Sequence, residues 1–328
     1  TCSMSISELT EADRMKLDEH VVYPWEDVSL PTSEKTFLTS GEGIYVRDQA
    51  GNRLIDGPGG MWCVNVGHGR TEIAEAIAQQ ALTLGYVSPW SFGMDHTLRL
   101  TERLTRYAPG DLNHVFYTTC GSTSVDSALR FVFFYNNCRG LPEKKQIIAR
   151  SGGYHGSTFL GATCSGKDSD KANMDMAEGL VHHISIPKPL DRPTGMTIEA
   201  WCAFLVDELE EKIVVLSAVR VGAFIAEPIL GSGGVVVPPP GYHQRTLDVC
   251  RKHDVLYISD EVVTAFGRLG SMFASEEVFG IVPDLITTAK GLTSGYIPMG
   301  AVFISDRLFD ELRELSVDHT YFSNGFTY

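Results

Sequence analysis

Apolar and polar residues follow different periods in successive parts of this chain. The first forty or so residues are polar and mixed, with Ser7–His20 reading as a helix capped by Ser5 or Ser7. Gly43–Asp48 and Arg53–Asp56 then read as a β-hairpin around a Gly51-Asn52 turn, which Pro58-Gly59-Gly60 ends. From Thr71 the period lengthens, and Thr71–Leu84 and Met94–Tyr107 read as amphipathic helices.

Beyond these, short apolar runs alternate with helical stretches. The runs are His114–Thr118, Gln146–Ala149, Gly222–Ala226, Val255–Ser259, Asp284–Thr288 and Met299–Ile304. Ser124–Cys138, Ile198–Val214 and Gly241–His253 read as the helices between them. Apolar strands separated by helices predict an α/β fold, a mostly parallel sheet covered on both faces. The expected division is an N-terminal segment over 1–70 and a large domain over 71–328. Phe326-Thr327-Tyr328 falls in what reads as a loop, so the complete protein is expected to continue.

Composition narrows the function classes. Hydrophobic residues make up 43% and charged residues 21%, which suits a water-facing protein with a real core. A formal charge of −14 argues against nucleic-acid binding, which needs clustered cations. The seven cysteines form no C-x-x-C pair, so neither zinc nor a disulfide framework is indicated, and a cytoplasmic location is expected. The most apolar stretch, Ile213–Val237, contains Arg220 and Glu227, so no membrane span is expected.

Ligands of open parallel sheets bind beyond the carboxyl ends of the strands. Ser122, Tyr154, Glu227, Asp260 and Lys290 each follow such an end. A lysine desolvated there, as in Thr287-Thr288-Ala289-Lys290-Gly291, is suited to forming a Schiff base, although a lone lysine more often snorkels to solvent. Asp260 could hold a pyridine nitrogen protonated, or merely cap a turn; Glu261 would point the other way. Gly121-Ser122-Thr123-Ser124, opening a helix, offers amides and hydroxyls to a phosphate, or is a plain N-cap. In Gly152-Gly153-Tyr154-His155-Gly156 the Tyr or His could stack on a flat heterocycle, or pack inside a turn. Two matches are decoys. Gly161–Lys167 fits the start of a P-loop, but Asp168 stands where Ser or Thr must bind magnesium. Gly231-Ser-Gly233 begins like a dinucleotide fingerprint and ends wrongly at Val236.

Together these residues resemble the class III aminotransferases. The resemblance lies in Ser259-Asp260-Glu261-Val262, Phe266–Gly270, Pro283-Asp284-Leu285 and Ala289–Leu292. Ala226-Glu227-Pro228, Cys120-Gly121-Ser122 and Tyr154-His155-Gly156 match further blocks in order. Gly60–Cys63 and Pro89–Phe92 look like the ω-amino acid:pyruvate and taurine:pyruvate branch.

The resemblance implies a fold-type I enzyme with pyridoxal phosphate. Lys290 would carry the cofactor and Asp260 would meet its ring nitrogen. Val262 and Tyr154 would flank the ring, and Gly121 and Ser122 would hold the phosphate. Thr327 would reach the phosphate of a neighbouring subunit in a homodimer. Trp62 would line the substrate pocket. Glu227 would lie near the cofactor and, as in relatives, gate recognition of the second substrate's carboxylate. A small C-terminal domain bearing a carboxylate-binding arginine is missing from this chain. The implied reaction is ping-pong transfer from an amine or ω-amino acid to an oxo acid such as pyruvate. An aminomutase, a decarboxylase or a non-catalytic paralogue of the same fold are the alternatives. No metal is expected.

Overall fold

A computed structural model describes residues 9–29, 35–316 and 320–326. Helix α1 (Glu11–Asp18) is shorter than the sequence suggested. Thr10 caps it, its hydroxyl accepting the Asp13 N–H at 3.2 Å while the Asp13 carboxylate accepts the Thr10 N–H. This Thr-x-x-Asp box sets the start; Ser5 and Ser7 lie outside the described residues.

Strands β1 (Leu38–Glu42), β2 (Tyr45–Asp48) and β3 (Arg53–Ile55) form a small antiparallel sheet. The β2–β3 hairpin turns on Asp48, whose Oδ1 accepts the N–H groups of Ala50 and Asn52 at 2.9 and 2.8 Å. Strand β1 was not anticipated, because Leu-Thr-Ser-Gly-Glu shows no apolar alternation and the strand is held by backbone pairing to β2. The single turn α2 (Gly59–Trp62) and helices α3 (Thr71–Thr83) and α4 (Asp95–Tyr107) follow.

The main sheet is built from β4 (His114–Thr118), β5 (Gln146–Arg150), β6 (Val181–Ile184), β7 (Val221–Ala226), β8 (Leu256–Asp260), β9 (Leu285–Thr288) and β10 (Gly300–Ile304). Their order across the sheet is β4-β10-β9-β8-β7-β5-β6. Neighbours pair in parallel except at β10, which runs antiparallel to both β4 and β9. The intervening helices are α5 (Gly121–Cys138), α6 (Phe159–Cys164), α7 (Asp168–Lys171), α8 (Ile198–Leu216) and α9 (Tyr242–Lys252), with α10 (Asp306–Leu315) after β10.

Side-chain alternation along each strand explains why the runs are apolar throughout. Ala223 and Ile225 of β7 pack with α5 and α10 on one face. Phe224 and Ala226 pack with α8 and α9 on the other. Both faces are therefore core, and each large side chain buried there contributes about 1.5–3 kcal/mol. Asp260 pairs with Thr287, and Ala226 with Ser259, so the carboxyl ends of the parallel strands finish at one level. The loops that follow them open onto one cavity.

Candidate active site

The cavity has a volume of about 620 Å³. Gly121, Ser122, Tyr154, Glu227, Asp260, Val262, Lys290 and Trp62 all line it. Thr327, the remaining expected site residue, lies outside the described residues.

The start of α5 forms one wall. First-turn amides of a helix lack intrahelical partners, and the positive end of the helix dipole attracts an anion. Gly121 is needed there because a Cβ would fall 2.8 Å from Val262 Cγ1. Ser122 Oγ accepts the Ser157 N–H at 2.9 Å, which ties the Tyr154 loop to α5 and leaves its own O–H to donate. Gly156, at φ +113°, would place a Cβ 2.7 Å from both Ser122 Cα and Oγ. The loop can approach the helix so closely only through a glycine.

Asp260 ends β8 and is 3% exposed. Its Oδ1 accepts the Val262 N–H at 3.1 Å, and its Oδ2 lies 2.7 Å from His155 Nδ1. His155 is itself buried, with its backbone N–H on Ser165 Oγ at 2.9 Å. The histidine is thus the partner of Asp260 and not a stacking ring. Glu261 turns away, as the strand period requires, into a buried nest formed by the Ala274 and Ser275 amides and the Ser275 hydroxyl. Burial pushes its pKa up. Burial likewise raises Glu227, although the Tyr154 and Gly231 N–H groups donate to its two oxygens at 3.0 and 2.8 Å.

Lys290 follows β9 at φ +42°, a left-handed conformation that costs about 1–3 kcal/mol for a side-chain-bearing residue. Such strain at a pocket wall is characteristic of functional positions. Gly291, next to it, would place a Cβ 2.3 Å from Asn65 Nδ2, so the segment after α2 packs directly over the lysine turn. The α2 turn is left-handed, with Gly59, Gly60, Met61 and Trp62 all at φ between 56° and 67°. The Trp62 N–H donates to Pro58 O at 2.8 Å and closes it. This turn carries Met61 and Trp62 into the cavity; the Pro-Gly-Gly that begins it was legible only as a stop.

Four further lining residues were not expected: Trp25, Met61, Lys167 and Asp170. Trp25 sits 6.2 Å from the Tyr154 ring. The P-loop-like run proves to be helix α6 followed by a backbone bridge, not a phosphate loop.

The donor set suits one ligand type: an anion at a helix start, a flat ring between small and aromatic residues, and a carbonyl within reach of a lysine. With an open, mostly parallel sheet, these features define a pyridoxal-phosphate enzyme of fold type I. The chain belongs to the class III aminotransferases, whose family model, Aminotransferase class-III, matches residues 29–327. An uncharacterized aminotransferase of Sinorhizobium fredii is 40% identical over 99% of this chain and 70% of its own length. The putrescine–pyruvate aminotransferase of Pseudomonas aeruginosa is 38% identical over 94% of this chain and 67% of its own. An ω-transaminase of Pseudomonas jessenii solved in complex with PMP is similar at a TM-score of 0.91 and 33% identity, over 95% of this chain and 69% of that one. The protein is a transferase of amino groups, and its cofactor is pyridoxal phosphate. Among the described residues no cluster of metal-binding side chains and no helix long and apolar enough to cross a membrane occurs.

Proposed function

We propose that the protein moves an amino group from a primary amine or ω-amino acid to an oxo acid such as pyruvate, in two half-reactions. The observation that carries this reading is the placing of Lys290, Asp260 and the α5 N-terminus around one cavity. When bound, the cofactor supplies a carbonyl that captures amines and a ring that accepts electrons. Lys290 Nζ anchors the cofactor and, once displaced by the amine, takes the substrate proton as general base and returns it. Asp260, fixed by His155 and the Val262 amide, keeps a proton on the ring nitrogen. Gly121 and Ser122 bind the phosphate; Val262 and Tyr154 flank the ring. Glu227 and Trp62 shape the substrate side, and Glu227 gates the second substrate's carboxylate.

The assembly we propose is a homodimer in which Thr327 reaches the neighbouring cofactor phosphate. A cytoplasmic setting is supported by six free cysteines among the described residues. The test uses the full-length protein with pyruvate and a panel of amines, followed by alanine and carbon dioxide. Alanine without carbon dioxide is expected, and Lys290→Ala should lower its rate at least about 1,000-fold, as loss of base and anchor together implies. Undiminished transfer by that variant, or carbon dioxide in place of alanine, would overturn the reading.

A further inference from the structure

We propose that Lys167 is the anchor of this chain for the carboxylate of the oxo-acid acceptor. The inference rests on the aminotransferase reading above and specifies how that site recognises its acid.

The backbone around Lys167 is fixed to the loop that carries Tyr154. Gly166 donates to Gly153 O at 2.8 Å and accepts from Gly152 N–H at 2.9 Å. A Cβ at position 166 would fall 2.2 Å from Arg150 O, so this crossing over the end of β5 admits only glycine. The Gly-Lys pair that imitates a P-loop thus has another purpose in the fold. It holds the residue after the glycine at the cavity wall, where Lys167 is half-buried and serves as N-cap of α7.

Charge accounting singles out this amine. The cavity wall carries the carboxylates of Asp170, Glu227 and Asp260. An acid entering it needs a cation. His155 is held by Asp260, and Lys290 is reserved for the chemistry. Nearby Lys171 donates to Thr163 O at 3.2 Å. Lys167 Nζ alone among these has no hydrogen-bond or ion-pair partner among the described residues. A flexible four-carbon stem with three donors at its tip, mounted on a fixed backbone, is suited to meeting a carboxylate. Burial of Glu227 raises its pKa and lessens the repulsion an incoming anion would meet.

The experiment uses the full-length, cofactor-loaded protein and compares pyruvate with propanal, an acceptor of similar size that lacks the carboxylate. Lys167→Gln should lower the ratio of kcat/KM for pyruvate over propanal about tenfold, the usual scale for one charge-assisted hydrogen bond. The fall should lie in KM and be largely restored by Lys167→Arg. Binding of propionate, an inert acid, measured by calorimetry, should weaken by the same factor. Equal changes for both acceptors, an unaltered propionate affinity, or cofactor loss in the Gln variant that indicates a phosphate contact would overturn the proposal. If the parent protein transfers no amino group at all, the functional reading fails, while propionate binding still reports on Lys167.

Discussion

At the scale of single residues the site is governed by close approach. Gly156 joins a left-handed backbone to a contact with Ser122 that leaves no room for a methyl group. Gly156→Ala should therefore cost about 1–3 kcal/mol in strain and push Ser122 from its place at the helix start. The checks are thermal unfolding and cofactor affinity. A melting temperature several degrees lower with at least about tenfold weaker cofactor binding is expected; parent-like values for both would contradict the assignment of this contact. Residues like Lys290 and Asp260 were legible in the sequence because each follows an apolar run, and the end of a run fixes a place in space. The role of His155 was not legible. Its partner Asp260 lies 105 residues away, and only the folded sheet brings them together. Lys167 was hidden for a related reason: its neighbours in sequence suggested a phosphate loop, and the bridge to Gly152 and Gly153 is tertiary.

At the scale of elements, α9 shows how the scaffold holds the Glu227 loop. Its His243 is buried between β8 and the segment after β7, with Nε2–H donating to Pro228 O at 2.8 Å and Nδ1 accepting the Tyr257 hydroxyl at 3.0 Å. Both contacts need a neutral ring. Burial, with the Arg150 charge adding to it, pushes this imidazole from 6.5 down to about 3. The unfolded histidine takes up its proton near 6.5, so the stability it lends is complete above that pH and is lost as pH falls toward 3. Between about pH 8 and pH 5 the loss from this one group is about 2 kcal/mol. His243→Gln should be less stable at pH 8 yet show a pH dependence shallower by that amount in urea unfolding. Parallel curves for the two proteins would contradict it. The long helices and buried strands were readable, since their periods persist over many residues. Strand β6 was not, because Val181-His-His-Ile184 interrupts its apolar run with two histidines. Helix α10 was overlooked although Ser305 caps it and Leu308 and Leu312 mark its buried side.

At the scale of the whole molecule, the expectation of a mostly parallel sheet between two helical layers holds. The order of strands was beyond the sequence, because alternation shows which side chains are buried and not which strand lies beside which. The reversed β10, wedged between β4 and β9, is the plainest example. That placement sets the helix start after β4 and the lysine after β9 across a single strand, at the same end of the sheet. The cavity thus receives a phosphate holder, a ring carboxylate and an amine from three separate strands. Borohydride reduction of the cofactor-saturated, full-length protein, followed by peptide mapping, tests that arrangement most directly. The adduct should sit on Lys290 and be absent from Lys290→Ala; a stable adduct on Lys167 or any other lysine, or none, would contradict the account.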